Sequence, residues 1–533
     1  MTNFREIGTI NKVFQDVVNR YPEKTALIFN DQKYTFSELH KMVEKVAAYL
    51  YGNGISKEDR VIIYLPHLAQ WIAIWLGLQK IGAIAVPVTH FYGFEELVYI
   101  GNDSDVETIF CSDRNVEQVI AASEKKPFKK IIVIGEMPDT KKFSGLSGAE
   151  IVSFNKILQQ DISSLPSVEV GRKDIAEILY TGGTTGTPKG VPITNINFLE
   201  AIEVKRNEIE PLIPKGEGVA VQGAPLNHIM GQELGLCSLL SGDTLILLPR
   251  MDLEILFSQI EKHKASVLFG TPTFCRMILE HDKLDNFNLK SLKYVFTAGE
   301  ALPPEVSRKW YKKFNIPIFH GLGTTETCGG IAGTNAGEPF PEGTVGKEVP
   351  TKKVMLVNPE TLEPISVANE PGELLVHSEN MVTGYWNKPE ETARHFINLD
   401  GKIWYKTGDI VRMDEDGWIF FVDRSVDMIK HKGYRVAATK VEAVLYKHDA
   451  VFECCVVGVP DDKVGERIKA FIVPQKGKEG VSADDLIKWC SERLSSYEVP
   501  SDIEFTNDLP KSAVGKILRR KLRDQERQKL ENK

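Results

Sequence analysis

Short apolar runs alternating with helix-period stretches constrain this chain more than any other feature. Residues 61–65, 84–88, 108–111 and 131–134 read as buried strands with helical patterns between them. Such alternation implies a parallel, doubly wound sheet, because each crossover between parallel strands needs a covering helix. A second set of runs starts near 178–180 and continues through 219–222, 245–248, 267–269, 294–297 and 316–320, so a second wound sheet is expected. From Gly343 to about Phe421 the pattern changes to short strands with turns (354–357, 373–377, 418–421), which suggests a small β subdomain. The remainder reads as α+β, with strands near 451–459 and 469–473 and a helix near 483–494. At 533 residues the chain exceeds what one hydrophobic core supports. The expected fold class is therefore α/β: a large N-terminal domain over 1–424 with two doubly wound sheets plus a small β subdomain, and a smaller α+β C-terminal domain over 425–533.

Local signals refine this outline. Thr35-Phe36-Ser37-Glu38 has capping-box spacing and opens a helix. The richest apolar stretch, 71–88, is interrupted by Gln79, Lys80 and Pro87, so it reads as a buried helix and strand and not as a membrane span. A net charge of −8 argues against a general nucleic-acid binder. The seven cysteines are scattered and never spaced C-x-x-C, which indicates neither a disulfide framework nor a zinc site. With a start that lacks the basic and apolar pattern of a secretory signal, a cytoplasmic location is expected, as a monomer or homodimer.

Chemistry concentrates first in Tyr180-Thr181-Gly182-Gly183-Thr184-Thr185-Gly186-Thr187-Pro188-Lys189-Gly190, directly after an expected strand. Glycines let backbone N–H groups turn toward an anion, threonines add hydroxyl donors, and Lys189 adds charge, which together suit a polyphosphate. The spacing is not that of a Walker A loop, because Lys189 sits between Pro188 and Gly190. Taken alone, a Gly/Thr turn is as often a plain loop. Its company is more specific: Ala224-Pro225-Leu226-Asn227-His228, Ala298-Gly299-Glu300, Gly321-Leu322-Gly323-Thr324-Thr325-Glu326, Gly384-Tyr385-Trp386-Asn387, Tyr405-Lys406-Thr407-Gly408-Asp409, Asp423-Arg424, Lys432-Gly433-Tyr434-Arg435, and Pro510-Lys511 with Gly515-Lys516.

In this order the segments resemble the acyl-adenylate-forming superfamily, which includes acyl-CoA synthetases, peptide-synthetase adenylation domains and firefly-type luciferases. The resemblance spans nearly the whole chain. It implies an enzyme that uses ATP and Mg²⁺ to activate a carboxylic acid as its acyl-adenylate and then passes the acyl group to a thiol, coenzyme A in the leading reading. Bringing a carboxylate to the α-phosphate joins two anions, so the site must supply positive charge.

By resemblance, Thr181 to Gly186 and Lys189 would hold the phosphates, and Gly299, Glu300 and Ala301 would line the adenine. Gly321 to Thr324 would border the nucleotide, and Thr325 would hydrogen-bond the α-phosphate. Glu326 with the Thr184 region would hold Mg²⁺, an ion that keeps waters and substrate phosphates and needs few protein carboxylates. Asp409 would accept the ribose hydroxyls, and Arg424 would contact ribose or phosphate. Lys516 would bridge carboxylate and α-phosphate during adenylation. Asn227, His228, Met230, Gly231, Gly299, Gly323 and Cys328 would form the acyl pocket, with His228 as wall and gate. The pocket segments are mostly small or uncharged, which suits a medium- or long-chain fatty acid or an aromatic acid.

The resemblance further implies that the C-terminal domain rotates about Asp423-Arg424-Ser425-Val426 after adenylation, presenting Lys432, Gly433 and Arg435 to the thiol. Val426 departs from the pattern, where many relatives have Asp or Lys, and Gly182 replaces a common Ser. Residues 510–533 hold nine Lys/Arg against three Asp/Glu; such a stretch reads as a solvated basic helix that could attract phosphates. Competing readings are an enzyme that loads a carrier protein, a luciferase-like oxygenase, and a nucleotide-binding regulator that no longer catalyses.

Overall fold

Alternate residues of the central strands face two different cores, as the two-residue period of a strand requires. Val61 and Ile63 pack into one apolar cluster, whereas Ile62 and Tyr64 pack into another. The computed structural model in which this is seen describes residues 3–138, 148–160, 167–181, 187–461, 463–511 and 517–531.

One sheet has seven strands in the order Glu150–Ser153, Lys130–Ile134, Thr108–Ser112, Arg60–Tyr64, Ile84–Pro87, Ile175–Thr181 and Lys189–Thr194. All neighbours are parallel except the last pair. The other sheet has nine strands: Lys347–Glu348, Gly329–Gly333, Ile318–Thr324, Tyr294–Thr297, Val267–Gly270, Val219–Gln222, Thr244–Leu247, Thr25–Phe29 and Gln32–Thr35. It is parallel in the middle and antiparallel at both edges.

One strand departs from the sequence-based expectation: the run near 178–180 belongs to the first sheet, where Glu177 registers with Ala85. The hairpin 25–35, for which the sequence analysis named no strands, belongs to the second. An apolar run specifies burial on both faces but carries no record of which neighbour it joins.

The largest core lies between the sheets and takes residues from both, together with the helices Ile10–Arg20, Phe36–Gly52, Ala69–Ile81, Asn195–Ile209 and Ile229–Leu240. Ala69–Ile81 carries Trp71, Trp75 and aliphatic residues all round and is buried on every face, as a helix between two sheets must be. Thr35 and Glu38 close a reciprocal cap at the start of Phe36–Gly52. Further helices cover the outer faces, giving five alternating layers.

A smaller sheet follows, built on Lys353–Val357, Gly372–His377, Lys402–Met413 and Phe396–Leu399, with Ile419–Arg424 paired to Lys402–Met413. After Arg424 the chain enters a separate sheet of Tyr434–Val436, Ile429–His431, Gly465–Pro474, Val451–Asp461 and Asp502–Phe505, with its own core and three helices. Among the described residues, no helix is long and apolar enough to cross a membrane.

Candidate active site

The segment expected to hold phosphate lies in sequence between Ile175–Thr181 and its antiparallel partner Lys189–Thr194, an edge strand. Gly182, Gly183, Thr184, Thr185 and Gly186 lie outside the described residues. The described residues on either side are fastened. Tyr180 donates its hydroxyl to Asp103 (2.7 Å), Tyr99 donates to the carbonyl of Pro188 (3.0 Å), and the Trp386 backbone N–H donates to the carbonyl of Gly190. Lys189 is buried, with its ammonium 2.9 Å from Glu391 and 4.8 Å from the centre of the Tyr385 ring.

Tyr385 leads from Lys189 to Glu326, donating its hydroxyl to Oε1 at 2.9 Å. Glu326 is buried, in a tight turn between Ile318–Thr324 and Gly329–Gly333. Thr324 and Thr327 exchange backbone-to-hydroxyl hydrogen bonds across the turn, and the N–H of Cys328 returns to the carbonyl of Thr325 at 2.9 Å. Tyr405 lies between this group and Asp409; burial and the charges of Glu326 and Asp409 hold its phenol well above the usual range.

Asp409 is 1% exposed, and its Oδ1 lies 3.2 Å from Nε of Arg424, its cross-strand partner. The Asp409 charge raises the guanidinium further, and Glu326 adds to the effect. Gly408 before it has φ +72°, a torsion glycine adopts freely, and Thr407 braces the bend by accepting from the Asp409 N–H at 3.0 Å. The predicted Mg²⁺ ligand and ribose acceptor, 83 residues apart in the chain by their numbers, thus both act on the phenol of Tyr405.

The expected acyl wall centres on the segment 225–231. His228 caps the helix Ile229–Leu240, its Nδ1 accepting from the N–H of Met230 at 3.2 Å. Gly231 touches the carbonyl of Pro225 so closely that a Cβ would lie 2.0 Å from the oxygen. Asn227 and His228 are half-buried, and Met230 is buried. His67, which sequence reasoning missed, accepts from the N–H of Leu226 at 3.1 Å and so fixes this segment; burial pushes its imidazole down to about 4. Gly323 pairs with Gly330 across the wall and is exposed, as are Gly299 and Ala301. Glu300 turns away to accept from the N–H and hydroxyl of Thr273, at 3.2 and 2.7 Å.

Glu233 was also missed. Its Oε1 accepts from the N–H of Gly330 at 3.4 Å, and burial pushes its carboxyl up to about 7. Lys352 is buried nearby, and burial lowers its ammonium while Cys328, Glu200 and Glu233 face it.

Lys516 lies outside the described residues. Lys511, which precedes it, makes an ion pair with Glu453 (2.9 Å), and Glu453 reaches Arg276 of the helix Pro272–Leu279 at 3.3 Å. Arg276 lies over the rings of Tyr446 and Phe452. Lys432, Gly433, Tyr434 and Arg435 are exposed, with Arg435 paired to Glu360. The basic end of the chain is less free than its composition implies. Arg519 makes a two-pronged contact with Glu442 at 2.8 Å and one with Asp427 at 3.0 Å, and Arg523 donates to the carbonyl of Val426. These charges brace the 423–427 segment, where the side chain of Val426 is 52% exposed.

The profile of the family described as AMP-binding enzyme matches residues 14–386, and that of the AMP-binding enzyme C-terminal domain matches 440–516. The chain belongs to the AMP-binding enzyme family. It is similar to a long-chain-fatty-acid–CoA ligase of Bacillus subtilis (strain 168), 33% identical over 97% of this chain and 94% of that protein. Its fold matches an anthranilate CoA ligase solved with anthranoyl-AMP (TM-score 0.89, 27% identity, 98% of each chain). A benzoate CoA ligase from Burkholderia xenovorans LB400 matches with a TM-score of 0.85 and 26% identity, over 97% of this chain and 99% of the other. Like its family, the chain is an adenylate-forming acid–thiol ligase, making acyl-CoA from a carboxylic acid, ATP and coenzyme A.

Proposed function

We propose that this AMP-binding enzyme activates an aliphatic, fatty-type acid of medium or long chain. The Glu326–Tyr385 pair, in the turn that follows Gly323, and the buried Asp409–Arg424 pair carry the reading of the site. A carboxylate oxygen of the acid attacks the α-phosphorus of ATP, the bond to pyrophosphate breaks, and the thiol of coenzyme A then displaces AMP from the acyl carbon.

Thr325 hydrogen-bonds the α-phosphate, and Asp409 accepts the ribose hydroxyls with Arg424 beside it. The exposed backbone of Gly299 to Ala301 lines the adenine. Gly321 to Thr324 border the nucleotide. Residues 181–186 and Lys189 hold the phosphates. Lys516 neutralises charge as the carboxylate approaches. Glu326, a buried carboxylate linked through Tyr385 to the Lys189 side of the phosphate segment, would hold Mg²⁺ with the Thr184 hydroxyl, since the ion takes hard oxygen ligands and needs few protein carboxylates. When bound, the ion neutralises phosphate charge. The 1–424 and 425–533 units reorient about 423–426 between the two steps, and Lys432, Gly433 and Arg435 then meet the thiol. The reading includes a cytoplasmic location.

The preference for an aliphatic acid rests on the 33% identity to a long-chain-fatty-acid–CoA ligase, above the 26–27% to ligases of aromatic acids. Pyrophosphate release measured over fatty and aromatic acids, with and without coenzyme A, tests this. Fatty acids should give the larger kcat/KM, with AMP formed in proportion to thioester; benzoate and anthranilate outrunning every fatty acid would overturn it. Lys516→Ala should abolish adenylation yet still convert a supplied acyl-adenylate and coenzyme A to thioester.

A further inference from the structure

The wall behind the reacting centre is not a hydrocarbon surface. Gly329 and Gly330 follow Cys328 on the strand that returns from the Thr325–Glu326 turn, and the Glu233 carboxyl presses against both. A Cβ at Gly329 would lie 2.3 Å from Oε2, and the N–H of Gly330 donates to Oε1 at 3.4 Å. Glu233 lies on Ile229–Leu240, the helix that begins at His228. The turn 349–352 lies beside the same strand. The N–H of Val349 donates to the carbonyl of Ile331 and the N–H of Lys352 to the carbonyl of Val349, both at 3.0 Å, and a Cγ of Val349 comes within 4.0 Å of a Cβ built at Gly330.

The surrounding charges are largely committed. Lys205 is paired with Glu208, and Glu200 accepts from Asn380 at 2.8 Å and faces Arg5 at 3.8 Å. Lys352 is only 6% exposed, yet among the described residues its ammonium has no hydrogen-bond acceptor and no carboxylate within 4 Å. An ammonium held this way is costly unless something else satisfies it. A plain alkyl chain beside it would leave that cost unmet, because methylene groups offer no acceptor.

Resting on the fatty-type reading above, we propose that the acyl pocket recognises an oxygen function carried on the chain away from the reacting carboxylate. This hydroxyl, oxo or second carboxylate oxygen accepts from Lys352, with Glu233 as the neighbouring polar group. Lys352 and Glu233 are then specificity-determining residues, remote from the phosphate chemistry.

The test uses the full-length enzyme with matched sets of acids: hexanoate, octanoate and decanoate, their ω-hydroxy forms and the α,ω-dicarboxylates of the same lengths. At one length or more, an oxygenated acid should exceed the plain acid at least tenfold in kcat/KM for CoA-dependent AMP formation. Lys352→Met should reduce that ratio tenfold or more, and Glu233→Gln should shift the ranking between hydroxy and dicarboxylic acids. Plain acids winning at every length would overturn the proposal from the wild-type panel alone, whether or not the variants fold. A ratio unchanged in folded Lys352→Met would overturn it as well. If no member of the panel is turned over while aromatic acids are, the fatty-type reading itself has failed, an outcome distinct from turnover without discrimination.

Discussion

The substitution Glu453→Gln tests whether the observed docking of the last domain serves the first half-reaction. Glu453 is 1% exposed and is shared between Arg276 at 3.3 Å, on the large domain, and Lys511 at 2.9 Å, at the base of the segment that carries Lys516. Arg276 lies one turn beyond Thr273, which holds Glu300 of the proposed adenine segment, whereas Lys432 to Arg435 are exposed. This is the orientation expected for adenylation. Glutamine keeps the volume and removes the charge, leaving the Arg276 guanidinium, 8% exposed, without its buried counter-ion while the domains are docked and hydrated when they part. A hydrogen bond to a charged group contributes about 1.5–3 kcal/mol. Losing about 2–3 kcal/mol from the docked state alone shifts the orientational equilibrium roughly 30- to 150-fold. Acid-dependent ATP–pyrophosphate exchange should therefore fall relative to thioester formation from supplied acyl-adenylate and coenzyme A, by tenfold or more in the ratio. An unchanged ratio, whether both rates fall together or neither moves, would refute the argument.

Val426→Pro should spare pyrophosphate exchange and cut thioester formation at least tenfold, since proline fixes φ at the proposed hinge while the exposed side chain contributes little else; equal loss in the two assays would remove 426 from the hinge. Gly231→Ala forces a Cβ to within 2.0 Å of the Pro225 carbonyl oxygen, so the backbone must shift. It should destabilise the protein by about 1–3 kcal/mol and lower acid-dependent exchange, read from urea midpoints and pyrophosphate release. Glu177, fully buried with its carboxylate accepting from Trp75, is pushed up to about 7 by desolvation. The folded state then keeps a proton that the unfolded chain releases near 4.5, so stability falls as pH rises from about 4.5 to about 7 and is flat above. Glu177→Gln should remove this slope, gaining up to about 3 kcal/mol at pH 8 and little at pH 4.5, by urea denaturation at the two values; a gain independent of pH would contradict a neutral Glu177.

What could be read from the sequence was set by interactions close in the chain. The Thr35–Glu38 cap lies within four residues, and the burial of Ala69–Ile81 follows from its own apolar faces. The glycines at 323, 329 and 408 mark backbone that the sheet and turns do use. Sheet membership was not legible, because Ile175–Thr181 finds its neighbour about ninety positions earlier in the chain, at Ile84–Pro87. For the same reason His67, Glu233 and Lys352 escaped notice. Each is an unremarkable residue in its own segment and gains meaning only from a partner brought to it by folding: the Leu226 N–H, the Gly329–Gly330 pair, and the charges across the wall. The basic end of the chain failed in the opposite sense, since Arg519 and Arg523 are spent on Glu442, Asp427 and Val426.

Cys328 sits within two residues of Glu326, buried, with desolvation holding its thiol well above the ordinary range. An acyl-adenylate is a mixed anhydride, open to attack by any thiolate that reaches its carbonyl, and a protonated thiol is a poor nucleophile. An enzyme that makes such an electrophile beside its own sulfur risks acylating itself at every turnover. Keeping that sulfur dry leaves the incoming coenzyme as the competent thiol, so the burial of one small side chain protects the catalyst from its product.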